Sequence, residues 1–260
     1  MIVVVGLGNI GGAIAHRLVD CGQQVVAVEI DEDRCSRWRS DTGMTAVHTL
    51  ADVDWTTIER VVVLVRLTEQ VDSVLAELAA ADHAEGLPVY VMSTLELAYA
   101  RSLGDLAVEG VRVVETPVSG GQVAAREGTL TMMIAGDGPD DEAFLLSTLA
   151  SNVVHFARYG EPTLVKLFNN VMCAYNALSM AEMLVLADRQ GVDAGRLREV
   201  LLTSSGGSWV TGGFVDLVDD LLVKDVALFE HSVGALPALE IGAGADLEAR
   251  LVLARKLLTA

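Results

Sequence analysis

The fold of this chain is decided by one stretch near its N-terminus, IVVVGLGNIGG at residues 2–12. Its β-branched run, residues 2–5, is typical of a strand that is buried on both faces of a parallel sheet. Residues 10–21 follow with apolar side chains at helical spacing. A strand, a glycine-rich turn and a helix in immediate succession predict the first unit of a doubly wound α/β sheet.

The glycines of this turn have the spacing Gly6-x-Gly8-x-x-Gly11. At such a position the first glycine permits a tight turn, the second lets the backbone approach a pyrophosphate, and the third lets helix and strand pack closely. The N–H groups and partial positive charge of the helix N-terminus also favour phosphate. We therefore predict a dinucleotide-binding turn formed by Gly6, Leu7, Gly8, Asn9, Ile10 and Gly11.

Glu29 follows the next predicted strand, Val25–Val28. An acidic side chain at this position accepts hydrogen bonds from the adenosine ribose hydroxyls and repels a 2′-phosphate. Three further acids, at residues 31–33, lie between Glu29 and the next arginine, Arg34. The sequence therefore predicts NAD in preference to NADP as cofactor. The alternative interpretation is that Glu29 belongs to a solvated loop.

Strands and helices alternate as far as residue 160, and helical patterns follow. The predicted strands after the first two are Val61–Val65, Val89–Met92, Val111–Glu115 and Thr131–Ala135, with helices at Thr68–Ala80 and Pro139–Ala150. The later predicted helices are Thr163–Gln190, Ala194–Leu202, Phe214–Gly234 and Asp246–Leu258. We predict a Rossmann domain with a doubly wound parallel sheet at residues 1–160, and an all-helical substrate and dimerisation domain at residues 161–260.

The composition excludes several classes of partner. The 260 residues carry 36 acidic and 18 basic side chains, a formal net charge of −18 that repels nucleic acid and anionic membranes. The three cysteines form no CxxC pair, which favours a reduced, cytoplasmic protein. The five histidines are widely spaced and match no metal-binding motif, so no metal site is expected.

Lys166 and Asn170 stand four residues apart in the long predicted helix, which places them on one face. Burial of a lysine in an apolar helix lowers its pKa, and a lysine tuned in this way exchanges protons near neutral pH. The alternative interpretation is a surface lysine whose stem lies along apolar neighbours.

Three motifs together resemble the β-hydroxyacid dehydrogenases, a family that includes 3-hydroxyisobutyrate dehydrogenase and tartronate semialdehyde reductase. They are the glycine turn at residues 6–11, PVSGG at residues 117–121 and KLFNN at residues 166–170. Three shorter matches fall in the same order: Ser93-Thr94, Gly207-Ser208-Trp209 and Lys224-Asp225. The resemblance covers nearly the whole chain and implies hydride transfer between a nicotinamide cofactor and a small carbonyl or hydroxy acid substrate.

The resemblance also implies roles for individual residues. Lys166 is expected to be the general acid for carbonyl reduction and the base in the reverse direction, with Asn170 and Ser93 beside it as catalytic residues. The expected substrate contacts are Ser93, Ser119, Gly120, Gly121, Lys166, Asn170, Trp209, Phe214 and Asp225. The expected cofactor contacts beyond the glycine turn and Glu29 are Val65, Arg66, Leu67, Thr94 and Lys224.

Three positions depart from the family pattern. Arg66 stands where the family usually has an apolar residue, and either an anionic substrate group or a nearby acid is its expected partner. Leu97 replaces a proline three residues after the pair Ser93-Thr94, and Pro162 replaces a glycine four residues before Lys166. These departures weaken the expectation that 3-hydroxyisobutyrate itself is the substrate.

Two other functions remain open at this point. Imine reductases share the expected architecture, although they usually carry an aspartate or a tyrosine where Lys166 stands. A non-enzymatic dinucleotide sensor would bind the cofactor without turnover.

The long predicted helix at residues 163–190 is apolar nearly all round, and a helical domain of 100 residues can cover only part of it. We therefore expect a homodimer or a dimer of dimers.

Overall fold

The computed structural model of the protein describes residues 1–106, 110–138, 140–216 and 219–239. The predicted helix Asp246–Leu258 lies outside the described residues. Within them, an α/β part built on a parallel sheet comes first and a helical part follows. This order is the predicted fold class.

The main sheet has six parallel strands in the order β3-β2-β1-β4-β5-β6. The strands are β1 (Ile2–Val5), β2 (Val25–Val28), β3 (Ala46–Val47), β4 (Arg60–Val63), β5 (Leu87–Val91) and β6 (Val111–Glu115). The strand order reverses between β1 and β4. In doubly wound sheets the crevice beyond the carboxyl ends of the strands at this reversal is the usual ligand site.

Helices cover both faces of this sheet. They are α1 (Asn9–Asp20), α2 (Glu32–Thr42), α3 (Thr68–Ala79), α4 (Leu97–Ser102), α5 (Gly121–Glu127) and α6 (Asp141–Thr148). Because successive strand residues point to opposite faces, Ile2 and Val4 pack into one apolar cluster with Ile14 of α1, while Val3 packs into a second cluster with Val71 of α3. Burial on both faces explains the unbroken β-branched run that opens the chain.

Helix α2 was absent from the sequence prediction. Its sequence, EDRCSRWRSDT, is polar at almost every position, and Cys35 and Trp38 are its buried residues. The helix is defined by its ends instead: the Asp31 side chain accepts a hydrogen bond from the Arg34 N–H at 3.1 Å, and Gly43 ends it in the left-handed region. Prediction from apolar periodicity misses such a helix.

A second, three-stranded sheet corrects two further expectations. It consists of β7 (Val118–Ser119), β8 (Leu130–Ile134) and β9 (Ala150–His155). The expected strand Thr131–Ala135 does not continue the parallel sheet, because β8 runs antiparallel to β7 and parallel to β9. The expected helix Pro139–Ala150 ends earlier, and Ala150 begins β9. Strand β9 was missed because four of its six side chains are exposed and three are polar.

The helical part consists of α7 (Glu161–Arg189), α8 (Ala194–Thr203), α9 (Trp209–Gly213) and α10 (Asp219–Val233). The expected single helix Phe214–Gly234 is instead a short 3₁₀ turn, Phe214–Asp216, and then α10. The expected domain boundary near residue 160 falls in the connection between β9 and α7, and remains a prediction.

Helix α7 packs against α10 through an apolar cluster that includes Leu167, Val171 and Phe229. Seven other large apolar side chains of α7 are exposed among the described residues: Val165, Phe168, Met172, Leu178, Met183, Val185 and Leu186. The helix is long and apolar enough to cross a membrane by length and composition alone. Within the described residues, 11% of its most apolar window is buried, and hydrogen bonds of Asn169 and Asn170 join the helix to β7 and α10.

Candidate active site

The glycine turn is held by close contacts that leave no room for side chains at two of its positions. Gly6 has a φ of 96°, and a Cβ there would overlap the carbonyl oxygen of Leu64; a Cβ on Gly11 would overlap the carbonyl oxygen of Gly6. A Cβ on Gly8, by contrast, would meet no atom within 4 Å. No side chain caps the N-terminus of α1, so its N–H groups are available to a phosphate.

Glu29 supports this turn from β2. Its side chain is 5% exposed, and its carboxylate accepts hydrogen bonds from the Leu7 N–H at 2.7 Å and the Asp31 N–H at 3.0 Å. Nη1 of Arg34 lies 3.4 Å from Oε2 of the same carboxylate. Oε2 accepts from both Leu7 and Arg34, whereas Oε1 accepts from the Asp31 N–H and can take a second hydrogen bond, so Glu29 can hold the turn and still bind a ribose hydroxyl.

A cavity of about 460 Å³ opens beside the turn, between α1, α2 and α5. Its walls include Gly8 and Asn9 of the turn, Arg34 and Arg37 of α2, and Gln122 of α5. The net charge of the protein is −18, which repels anions at long range, so arginines beside this turn matter for the binding of an anionic ligand. They give an anionic ligand a local cationic wall.

The loops after β4 and β5 are joined by Ser93. Its side chain is 2% exposed, and its hydroxyl accepts a hydrogen bond from the Val65 N–H at 2.9 Å. The N–H groups of Arg66 and Leu67 both donate to Oε1 of Gln70 at 3.0 Å. The structure thus places the expected cofactor-lining residues at the carboxyl edge of the sheet, with Arg66 and Leu67 exposed and the neighbouring Thr94 partly buried. The Ser93 hydroxyl acts here as a link between two loops.

The turn Ser119-Gly120-Gly121 lies against α7. Gly120 and Gly121 have φ values of 129° and 71°, which a side chain would strain. The Ser119 hydroxyl accepts a hydrogen bond from Nδ2 of Asn169 at 3.2 Å, and the same Nδ2 donates to Oδ1 of Asn170 at 3.1 Å. Asn169 therefore joins two of the predicted motifs.

Lys166 and Asn170 face α10, where Asp225 is 6% exposed. Nδ2 of Asn170 donates to Oδ2 of Asp225 at 2.5 Å, and Nζ of Lys224 lies 3.2 Å from Oδ1 of Asp225. Burial lowers the pKa of Lys166 to about 8, although the negative charge of Asp225 acts in the opposite direction. The side chain therefore populates both its protonated and neutral forms near neutral pH.

Trp209 and Phe214 are less closely tied to this cluster. Trp209 begins α9 and is 68% exposed, and Phe214 follows α9 and is partly buried. Their expected part in substrate selectivity stays a prediction.

Three residues of the site were missed from the sequence: Glu115, Asn169 and Gln70. Glu115, at the end of β6, is fully buried and accepts hydrogen bonds from the Gly160 N–H at 2.6 Å and the Thr163 N–H at 2.9 Å. Burial raises the pKa of its carboxyl group, and these hydrogen bonds oppose the shift. The signal in the sequence that could have identified Glu115 is an acidic residue at the end of a buried, β-branched strand.

One group of possible metal ligands occurs among the described residues, at α2 rather than beside Lys166. It consists of Glu32, Cys35 and His48. Each already has a protein partner: Nε2 of His48 lies 2.8 Å from Oε2 of Glu32, and the Cys35 thiol donates to the Glu29 carbonyl oxygen at 3.1 Å. The absence of a metal from the chemistry remains a prediction.

A phosphate-binding turn on a parallel sheet, followed by a helix that carries a desolvated lysine, defines a class of protein: the two-part nicotinamide-dependent oxidoreductases. Residues 1–156 match the family model of the NAD binding domain of 6-phosphogluconate dehydrogenase. Residues 160–233 match the model described as NAD-binding of NADP-dependent 3-hydroxyisobutyrate dehydrogenase. The chain belongs to the β-hydroxyacid dehydrogenase family of NAD(P)-dependent, hydride-transferring oxidoreductases, which confirms the resemblance.

Individual relatives agree with this assignment. The chain is 30% identical to L-threonate dehydrogenase of Cupriavidus necator, over 90% of this chain and 85% of that protein. The structure of 3-hydroxyisobutyrate dehydrogenase from Salmonella typhimurium is similar with a TM-score of 0.76 at 25% identity, covering 91% of this chain and 89% of that one. Psf3 in complex with NADP+ and 2-OPP has a TM-score of 0.78 at 21% identity, covering 94% and 89%, and shows likeness of fold alone.

Proposed function

We propose that the protein interconverts a small β-hydroxy acid and the corresponding semialdehyde or keto acid, with Lys166 as the general acid and base. The observation that carries this proposal is the lysine itself: its pKa is lowered to about 8 on a helix face shared with Asn170, next to Asp225. General acid–base groups work best when their pKa lies near the working pH.

The residues around Lys166 define the proton transfer. The nicotinamide ring, when bound, accepts or supplies the hydride. During reduction, the Lys166 ammonium donates a proton to the substrate oxygen and stabilises the negative charge that develops there. During oxidation, the neutral amine accepts the hydroxyl proton. Asn170 is fixed between Asp225 and Asn169 by hydrogen bonds, so it can orient the substrate beside the lysine.

The substrate is proposed to be anionic and small. Backbone N–H groups of the turn Ser119-Gly120-Gly121 suit a carboxylate, and this turn meets the Lys166 helix through Asn169. Arg66 has no acidic partner among the described residues, which favours the substrate over a nearby acid as its partner. The names of the relatives, L-threonate and 3-hydroxyisobutyrate dehydrogenase, support the same substrate class.

A substrate panel read by nicotinamide absorbance tests this proposal. It contains L-threonate, 3-hydroxyisobutyrate, other short hydroxy acids, semialdehydes and one cyclic imine. We expect turnover of at least one hydroxy acid or semialdehyde and none of the imine. Turnover of the imine alone would favour an imine reductase. Tight cofactor binding without turnover of any compound would favour a dinucleotide sensor.

We propose NAD as the preferred cofactor. The support is the buried Glu29 carboxylate at the end of β2, followed by the acids at residues 31–33, since this charge opposes a 2′-phosphate. Arg34 and Arg37 are the nearby cations, and one structural neighbour carries NADP+. The test is the ratio of kcat/KM for the two cofactors; an equal or higher value with NADP would overturn the preference.

We further propose that the protein is a cytoplasmic homodimer or dimer of dimers. The exposed apolar side chains of α7 support association, because such a surface is costly to leave in water. The three cysteines, Cys21, Cys35 and Cys173, are free thiols, which suits a reducing compartment. Sedimentation measures the first point, and fractionation of the source cells with antibody detection measures the second.

A further inference from the structure

We propose that Glu115 is a positioning residue for catalysis: its buried carboxylate fixes the N-terminus of α7 and so sets where Lys166 meets the substrate. This inference rests on the proposed role of Lys166. The carboxylate belongs to the Rossmann part, at the end of β6, and its two backbone partners, Gly160 and Thr163, belong to the start of α7. A side chain in one part of the protein therefore caps a helix of the other.

The hydrogen bonds of the first turn of α7 account for this arrangement. Gly160 and Thr163 donate to different oxygens of the Glu115 carboxylate. The Glu161 N–H donates to the Arg158 carbonyl oxygen at 3.3 Å, and Pro162 has no N–H to satisfy. The two N–H groups that need a buried partner are thus the two that Glu115 serves. A negative charge is also the favourable one at a helix N-terminus.

The capped turn lies directly before the catalytic one. Lys166 follows Thr163 by three residues, which is about 4.5 Å along a helix axis. A tilt or shift of the first turn therefore moves Lys166 with it. Misplacing a catalytic group by about 1 Å can cost roughly 10²-fold in rate.

The same strand end also fixes the other side of the substrate site. The Glu115 N–H donates to the Ala135 carbonyl oxygen at 3.0 Å, and the Ala135 N–H donates back to the Glu115 carbonyl oxygen at 3.0 Å, which joins β6 to the second sheet. Four residues later the chain reaches Ser119, whose hydroxyl accepts from Asn169. Glu115 therefore sets the distance between the Ser119-Gly120-Gly121 turn and α7.

Tyr159 provides a second anchor, but of a different kind. Its hydroxyl donates to the Val113 carbonyl oxygen at 2.8 Å, and its ring occupies the space that Cβ atoms on Gly104 and Gly136 would need. This anchor holds the chain just before the helix and contacts none of the N–H groups of the first turn that Glu115 serves. Losing Glu115 should leave α7 attached to the Rossmann part and free its axis to move.

The test is the variant Glu115→Gln, which keeps the shape but offers one carbonyl oxygen and an NH₂ group to two N–H donors. We expect kcat to fall at least 10-fold while the dissociation constant of the dinucleotide stays within 2-fold, because the glycine turn is not touched. Amide hydrogen exchange at Gly160 and Thr163 should become faster. Glu115→Asp keeps the charge on a shorter side chain, should retain more of kcat, and carries the test if Glu115→Gln does not fold.

Asp141→Asn is the matched control. Asp141 is also a buried carboxylate, bound by Tyr90, Arg112 and the Gly138 N–H, but it lies near the amino ends of the strands. The Asp141→Asn substitution should lower the thermal stability of the protein, but its kcat should not show the fall expected of Glu115→Gln. An equal kcat for Glu115→Gln and Asp141→Asn, or unchanged exchange at Gly160 and Thr163, would overturn the inference. If Lys166→Ala also keeps its activity, the proposed function fails instead.

Discussion

Lys166 is subject to two opposing influences in this structure. Removal from water disfavours its ammonium form, while the carboxylate of Asp225 on α10 favours it. Desolvation is the larger influence, so the pKa falls to about 8 rather than rising. A lysine with that pKa differs from a surface lysine in its chemistry, although the two are indistinguishable in sequence.

The first prediction concerns removal of this amine. Lys166→Ala should lower kcat by at least about 10²–10⁴-fold, the usual contribution of a positioned general acid or base. The dissociation constant of the dinucleotide, measured by fluorescence titration, should stay the same because Lys166 does not line the cavity beside the glycine turn. Near-normal turnover in this variant would remove Lys166 from the mechanism.

The second prediction concerns pH. Reduction requires the ammonium form of Lys166, so its kcat/KM should fall as the pH rises through about 8. Oxidation requires the neutral amine and should increase through the same pH. The measurement is kcat/KM in both directions on either side of this value. A common midpoint near 10.5, the ordinary pKa of lysine, would mean that the side chain is not desolvated in the working enzyme.

The third prediction concerns Glu29. Glu29→Gln removes the charge that opposes a 2′-phosphate, so the ratio of kcat/KM for NAD to that for NADP should fall about 10-fold, which corresponds to about 1.4 kcal/mol. Glu77→Gln is the matched control, because Glu77 is an exposed acid on α3, outside the acidic segment at residues 29–33. An unchanged ratio in Glu29→Gln, or an equal fall in both variants, would assign the preference to another feature.

Candidate site residues could be proposed from the sequence where they lie close together along the chain, and their roles remain predictions. Lys166 and Asn170 share a helix face, and the glycine turn is contiguous, so both could be found. Glu115 could not, since its hydrogen-bond partners lie 45 and 48 residues away along the chain. The link from Ser119 to Asn169 spans 50 residues. Contacts of this kind become visible when the strands and helices have been placed in space.

At the scale of helices and strands, burial decided what could be predicted. Strands β1, β2, β4, β5 and β6 are buried and β-branched, and their approximate positions were all predicted. Helix α2 and strand β9 are mostly solvated, so neither carries an apolar pattern. The direction of β8 was also inaccessible, because it depends on the reversal of the chain at β7 rather than on the residues of β8 itself.

At the scale of the whole molecule, the sequence predicted an α/β part followed by a helical part, and the structure has this order. The apolar character of α7 was predicted to require a partner. In the structure, the other described residues do not cover all of these apolar side chains. Leu178 and Met172, for example, are 62% and 56% exposed. A second copy of the chain is the proposed cover.

The fourth prediction follows from that exposure. Leu178→Glu places a charge on the exposed face of α7, so it should shift the protein from dimer to monomer in sedimentation at micromolar concentration. Val123→Glu is the control, because Val123 of α5 is 66% exposed and lies outside the helical part. A wild-type monomer, or dissociation in both variants to the same extent, would contradict a role for α7 in association.

The small apolar cluster between α7 and α10 has a consequence for how activity is lost. Its buried members among the described residues are Leu167, Val171 and Phe229, whereas each face of the main sheet has a much larger cluster. Cooperative units with few enclosed contacts open at a lower free energy than the rest of a protein. Mild heating should therefore release the helix that carries Lys166 while the sheet and its glycine turn persist. The protein would pass through a state that still binds dinucleotide and no longer turns over substrate.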